Sequence, residues 1–322
     1  MRRIGLLLVI LTMLVIAVVG IALAIFLAIY PDTDPPPSLS LQTTPDSIAR
    51  GAYLANHVSV CVDCHSHKNW GYYSGPIMPG TEGQGGAKFG PAGGLIGVIY
   101  SPNITSEHIG HWTDGEIARA ITSGISRDGT ALFPIMPYSG YNHLAEEDLH
   151  AIIAYIRTLR PIKSEVPERS LDFSTEMLVR MMPMPYTAPS QPDSADSVAY
   201  GAYLTSIAGC TDCHTPKERG TPVPDMKMAG GFEFPLPGGG MVRASNITPD
   251  PVGGIGSWSK KDFITRFKLY ENMEPEKMRV QGGGNTVMPW TRYAGMTDKD
   301  LEAVFIYLQT VTPVRNMVET HP

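Results

Sequence analysis

Three absences limit what this 322-residue chain does. Charged side chains make up only 17% of it, the formal net charge is −6, and it has no basic tail. A nucleic-acid partner is therefore not expected. Cysteine is scarcer still, with four in the whole chain. No charged residue occurs from Ile4 to Ile29. That run exceeds both the core of a signal peptide, about 7–15 residues, and the roughly 20 needed to cross a bilayer.

The uncharged run reads as a retained membrane anchor. A cleaved signal is the alternative, but Ala22-Leu23-Ala24, which resembles a cleavage site, lies inside the apolar run rather than after it. Arg2 and Arg3 place the N-terminus in the cytoplasm and send the remainder outward. Asp32 to Pro37, with three consecutive prolines, is expected to form a stiff spacer.

All four cysteines fall in Cys61-Val62-Asp63-Cys64-His65 and its repeat, Cys210-Thr211-Asp212-Cys213-His214. C-x-x-C alone fits a redox disulfide or half a zinc site, but neither explains a histidine repeated behind both copies. C-x-x-C-H is the spacing for covalent attachment of a c-type haem. Two thiols form thioethers to one porphyrin, and the adjacent His becomes the proximal iron ligand. Two copies predict two haems, and therefore a periplasmic location for the part that carries them. No thiol remains to ligate a catalytic haem.

The repeat extends well beyond the motifs. Asp46 to Leu54 matches Asp196 to Leu204, each a short helix leading into its motif, with Gly51 and Gly201 at equivalent points. Glycine inside a helix costs about 1 kcal/mol against alanine, and close helix crossing is the expected reason. Leu149 to Ile156 matches Leu301 to Leu308, amphipathic helices that place Tyr155 and Tyr307 over those glycines. Asn103-Ile104-Thr105 matches Asn246-Ile247-Thr248. These triplets read as cofactor-lining loops held by Asn103 and Asn246 rather than as glycosylation acceptors.

Met136-Pro137 aligns with Val287-Met288-Pro289 ahead of each closing helix, which nominates Met136 and Met288 as sixth iron ligands. Thioether sulfur favours reduced iron, as suits an electron carrier. Met78, Met226 and Met228 are rivals without clean counterparts, and His67, His108, His111 and His143 leave bis-His ligation open in the first unit. Arg127 and Arg279 each stand nine positions before a nominated Met. They read either as propionate partners or as solvated loop charges.

Between the units, residues 164–192 hold five prolines and the methionines Met177, Met181, Met182 and Met184. A short helix is expected from Leu171 to Met182, with the methionines packing between domains. Lys260, Lys261, Arg266 and Lys268 form a basic group that reads as a solvated helix face or a docking patch.

With these residues in view, the chain resembles the class I c-type cytochromes. Asn103-Ile104-Thr105, Trp112-Thr113-Asp114-Gly115-Glu116, Ser126-Arg127-Asp128-Gly129 and Met136-Pro137-Tyr138 are similar to the haem domains of cytochrome c subunits of membrane-bound bacterial alcohol and sugar-acid dehydrogenases. Those subunits usually carry three haems. The second unit departs from the pattern with a longer, Gly-rich loop from Asn272 to Asn285.

The resemblance implies a mainly α protein with one transmembrane helix and two tandem class I cytochrome c domains. Residues 1–37 would be anchor and spacer, 38–163 the first domain, 164–192 a linker and 193–322 the second. Each domain would hold one covalently bound haem c, with His65 and Met136 on one iron and His214 and Met288 on the other. The expected role is an electron relay in the bacterial cytoplasmic membrane, with redox-protein partners such as a dehydrogenase or oxidase and no small-molecule substrate. A diheme peroxidase, which needs one open iron, is the alternative.

Overall fold

The computed structural model describes residues 2–32, 34–90, 97–218, 220–237, 239–280 and 284–321. The chain is mainly helical. Arg2–Ile29 forms one 28-residue helix whose residues from Ile4 onward are uncharged and almost all exposed. Such a helix has the length and composition to cross a bilayer.

In the first unit, Thr44 caps the approach helix Pro45–Tyr53 through a reciprocal bond pair with Ser47. In the second, Asp196 caps Ser197–Ile207 by accepting from Val198 and Ala199. Polar oxygens here satisfy amides that a helix start leaves without partners. The closing helices Glu146–Ile156 and Asp298–Leu308 cross them at the glycines. A Cβ on Gly51 would lie 1.8 Å from the Ala151 carbonyl oxygen and 2.9 Å from Tyr155 Cβ. On Gly201 the distances to the Ala303 oxygen and Tyr307 Cβ would be 2.0 and 2.8 Å. Any side chain would force the helices apart, so glycine stands at both crossings.

The approach helices differ in one respect. The first continues into a single π turn, Leu54–Val58, closed by the Ser59 amide donating to the Leu54 carbonyl at 2.8 Å. The first unit has seven positions from Leu54 to Cys61, and the second has six from Leu204 to Cys210. The wider turn absorbs the extra residue.

The two units share one core. A continuous buried cluster runs from Leu54, Val58 and Leu149 to Leu204, Leu301 and Leu308. Across it the Tyr53 hydroxyl donates to Asp300, and the Tyr203 hydroxyl donates to Asp148 at 2.6 Å. Tyr53 and Tyr203 are equivalent in the repeat, as are Asp300 and Asp148. The contact is therefore reciprocal, as about a local twofold axis. Burial and the adjacent carboxylates hold both phenols well above their ordinary range.

Two expectations change. The proline run does not hold the first unit away from the apolar helix: the Pro37 carbonyl closes on Gly115, and Arg180 Nη1 donates to the Tyr30 carbonyl at 3.2 Å. The strap helix forms at Phe173–Arg180, and of the four methionines Met177 and Met184 are half-buried while the other two are exposed. Met181 and Met182 face outward because Thr175 and Val179 occupy the buried side.

Candidate haem sites

Each C-x-x-C-H stretch is a short helix, Cys61–Cys64 and Cys210–His214, entered through a left-handed residue. That residue is Val60 (φ 45°) in one and Gly209 (φ 68°) in the other. A β-branched residue rarely adopts this backbone, so its persistence marks a turn fixed by its surroundings. Part of that fixing is visible. The Tyr141 hydroxyl donates to the Ser59 carbonyl at 2.7 Å, and the Tyr293 hydroxyl donates to the Ala208 carbonyl at 2.6 Å. Both carbonyls lie two residues before the first cysteine.

His65 and His214 are oriented alike. Nδ1 of His65 lies 2.7 Å from the Pro102 carbonyl, and Nδ1 of His214 lies 2.7 Å from the Ser245 carbonyl. A carbonyl can only accept, so Nδ1 carries the proton and Nε2 keeps a lone pair. Burial lowers both imidazole pKa values and favours that neutral form. This is the arrangement a proximal iron ligand requires.

The loops that supply these carbonyls are held by Asn103 and Asn246. Asn103 Nδ2 donates to the Ile162 carbonyl at 2.7 Å and Ser164 Oγ at 2.9 Å, while its Oδ1 accepts from the Thr105 amide and hydroxyl. Asn246 bonds the Val314 and Asn316 carbonyls and both groups of Thr248 in the same way. Asn103 is almost fully buried, which removes it as a glycosylation acceptor. The structure thus places both asparagines behind the histidines, as supports for the carbonyl each imidazole meets.

Met136 and Met288 occupy matching turns. Pro137 and Pro289 share φ,ψ near −77°,59° and −79°,59°. The amides of Tyr138 and Trp290 close back onto the Met136 and Met288 carbonyls at 2.7 and 2.8 Å. These are inverse γ-turns, and both methionines are half-buried against the core. Each turn leads into the short helix that ends at Tyr141 or Tyr293. The methionine turn and the cysteine helix are therefore tied together within each unit. Among the rivals, Met78 is exposed and His143 is engaged with the Ser139 carbonyl.

The arginines are less alike than their spacing. Arg127 lies 3.5 Å from Glu116, whereas Arg279 pairs with Glu276 at 2.9 Å and stacks over Tyr72. Both are about half exposed. In the basic group, Lys260 pairs with Glu302, Lys268 with Glu271, and Arg266 lies over Trp290.

All four thiols sit above their ordinary range. Cys64 and Cys213 present surface to solvent, yet enough protein surrounds them for burial to dominate. Burial pushes Cys61 up to about 12 and Cys64 up to about 11. Cys213 is pushed up to about 12 by burial and the charges of Asp212 and Cys64.

Comparison with known proteins agrees with this geometry. The chain is 33% identical over 297 residues to the cytochrome c subunit of the quinone alcohol dehydrogenase of Gluconacetobacter polyoxogenes, covering 85% of this chain and 59% of that subunit. It is 26% identical over 230 residues to a diheme c-type cytochrome of Cereibacter sphaeroides, covering 68% of this chain and 73% of the relative. The chain is a c-type cytochrome. Its cofactors are covalently bound haems c. This cytochrome is also 30% identical over 280 residues to the fructose dehydrogenase cytochrome subunit of Gluconobacter japonicus, across 82% of its own length and 52% of that subunit. It thus spans somewhat more than half the length of these dehydrogenase subunits. No family model matches the chain.

Proposed function

We propose that this cytochrome is a membrane-anchored diheme electron relay. Cys61 and Cys64 hold one haem, with His65 and Met136 on its iron. Cys210 and Cys213 hold the other, with His214 and Met288. When bound, each haem supplies a one-electron iron couple. The protein's own part is to hold the porphyrin, keep the imidazole neutral and oriented, and present sulfur rather than an open position.

One observation carries this reading: both units reproduce the same histidine–carbonyl bond and the same methionine–proline turn, tied to the cysteine helix by the same tyrosine bond. A peroxidase would need one unit to differ there. Residues 38–163 and 193–322 then act as two cytochrome c domains joined by 164–192. The anchor is Arg2–Ile29 in the bacterial cytoplasmic membrane, with both domains in the periplasm. The partners are a membrane dehydrogenase as donor and an oxidase or second cytochrome as acceptor. Arg127 and Arg279 would reach propionates only by exchanging their present carboxylate partners, so they contribute least.

Spectra and a redox titration of the purified chain test the reading. Two low-spin haems are expected, both with the long-wavelength band of iron–sulfur ligation and both at positive potentials. Met136→Ala and Met288→Ala should each remove half of that band. A high-spin haem that binds peroxide in the unaltered protein would overturn the relay in favour of an enzyme.

A further inference from the structure

The strap helix Phe173–Arg180 has two contrasting faces. Thr175 and Val179 are buried, while Phe173, Leu178, Met181 and Met182 are 67, 52, 52 and 37% exposed. Around the helical circumference these outward residues span about half the wheel, with half-buried Met177 and polar Ser174 lying among them. Charged Glu176 and Arg180 lie to one side, Glu176 pairing with Arg169. An exposed apolar face of this kind marks an interaction surface. Its position identifies the partner. Arg180 bonds the carbonyl of Tyr30, the residue just past the 28-residue apolar helix. The chain does not rise away from that point, since Pro37 already lies against Gly115.

We propose that Phe173 to Met182 is a second membrane contact. It lies in the lipid interface beside the anchor, with Arg180 at headgroup depth. The proposal rests on reading Arg2–Ile29 as a retained span. Together the two contacts fix how the first unit faces the membrane.

Photolabelling tests it. The full-length holoprotein is placed in phosphatidylcholine–phosphatidylglycerol vesicles containing a lipid with a diazirine on its acyl chain, and adducts are mapped by mass spectrometry. Adducts are expected in residues 4–29 and again in 173–182. The combined variant Phe173→Ser, Leu178→Ser, Met181→Ser, Met182→Ser should lose the second set and keep the first and the haem spectrum. Adducts confined to 4–29, or an unchanged second set in the variant, would overturn the contact. Absence from 4–29 would instead sink the anchor itself.

A separate observation concerns the two haem motifs. Arg292, four residues after Met288, reaches across to the first motif, its Nε 3.7 Å from Asp63 Oδ1. Four residues after Met136 stands Gly140, where a Cβ would lie 3.6 Å from Asp212 Oδ2. Lys68 pairs with Asp63 at 2.6 Å, and Lys217 stands at the equivalent position of the second unit, its Nζ over the Phe232 ring. Among the described residues, the reciprocal arrangement thus gives the first motif one part-buried cation more than the second.

A nearby positive charge favours reduced iron. We infer that Arg292 raises the potential of the haem at Cys61 and Cys64 above that of its neighbour, so electrons run downhill from the second unit to the first. This rests on the motifs being haem sites. In a redox titration, Arg292→Gln should lower the higher couple and narrow the gap while leaving the lower couple in place. Met136→His marks the first haem by lowering its couple. If Arg292→Gln moves the lower couple, or both equally, the inference fails. If Met136→His moves neither couple, the assignment of Met136 fails instead.

Discussion

Asn103 and Asn246 show how little of a cofactor site consists of groups that meet the cofactor. Both donors and both acceptor positions of Asn103 are used on neighbouring chain segments, and the product of that bonding is a carbonyl held still for His65. Asn103→Ala leaves several of those buried groups without partners, a cost of about 1–3 kcal/mol. A lower melting temperature is expected, together with a shifted couple for one haem only. A shift in both couples would show that the asparagine acts on the whole core. The histidines predict a pH dependence. Their folded pKa values are lowered, so the unfolded chain binds more protons near and below about 6.5, the ordinary histidine value. The stabilisation is present above that value and is lost as pH falls through it. Thermal melts between pH 7.5 and 5 should show stability falling with acid, alongside loss of the low-spin spectrum.

The glycine crossings and the methionine turns were legible in the sequence for one reason, which is that each appeared twice in the same place. Repetition separates a constrained residue from an incidental one. The crossing also predicts an effect larger than helix propensity. Gly51→Ala and Gly201→Ala would each gain helix propensity but meet a carbonyl at 1.8 or 2.0 Å. A net destabilisation of about 1–3 kcal/mol is expected by overpacking, read as a lower denaturation midpoint. A neutral result would show that the helices can slide. Repetition misleads where it fixes spacing but not surroundings. Arg127 and Arg279 share a position relative to methionine, yet one meets a carboxylate on a helix and the other a carboxylate and a ring beside a longer loop. The strap had no second copy to compare. Nothing in its composition said which way Met181 and Met182 would face.

Contacts between the units lay furthest from what sequence could show. Tyr53 and Tyr203 look like ordinary helix aromatics, and Tyr141 and Tyr293 look like loop residues, until the fold supplies the acceptor each one meets. The reciprocal bonds are not energetically equal. Asp148 is also gripped by Arg50 through two bonds of 2.8 Å, whereas Asp300 has no other side-chain donor among the described residues. Tyr53→Phe should therefore cost more than Tyr203→Phe, by about 1 kcal/mol within the range for bonds to charged groups. Paired denaturation curves of the two variants decide this, and equal losses would mean that Arg50 gives Asp148 no protection.

The π turn at Leu54–Val58 bears on how such a doubled chain diverges. Both ends of its helix are committed, one to the crossing at Gly51 and the other to the cysteines, so an added residue had only this turn in which to be stored. The surplus found a use. It brings His57 to the neighbouring unit, where Nδ1 lies 2.9 Å from the Arg292 carbonyl and where Gly295 alone leaves room for the ring. The first unit has His143 at the position of Gly295. The two halves are thus left and right, and two second halves or two first halves could not close on each other in the same way.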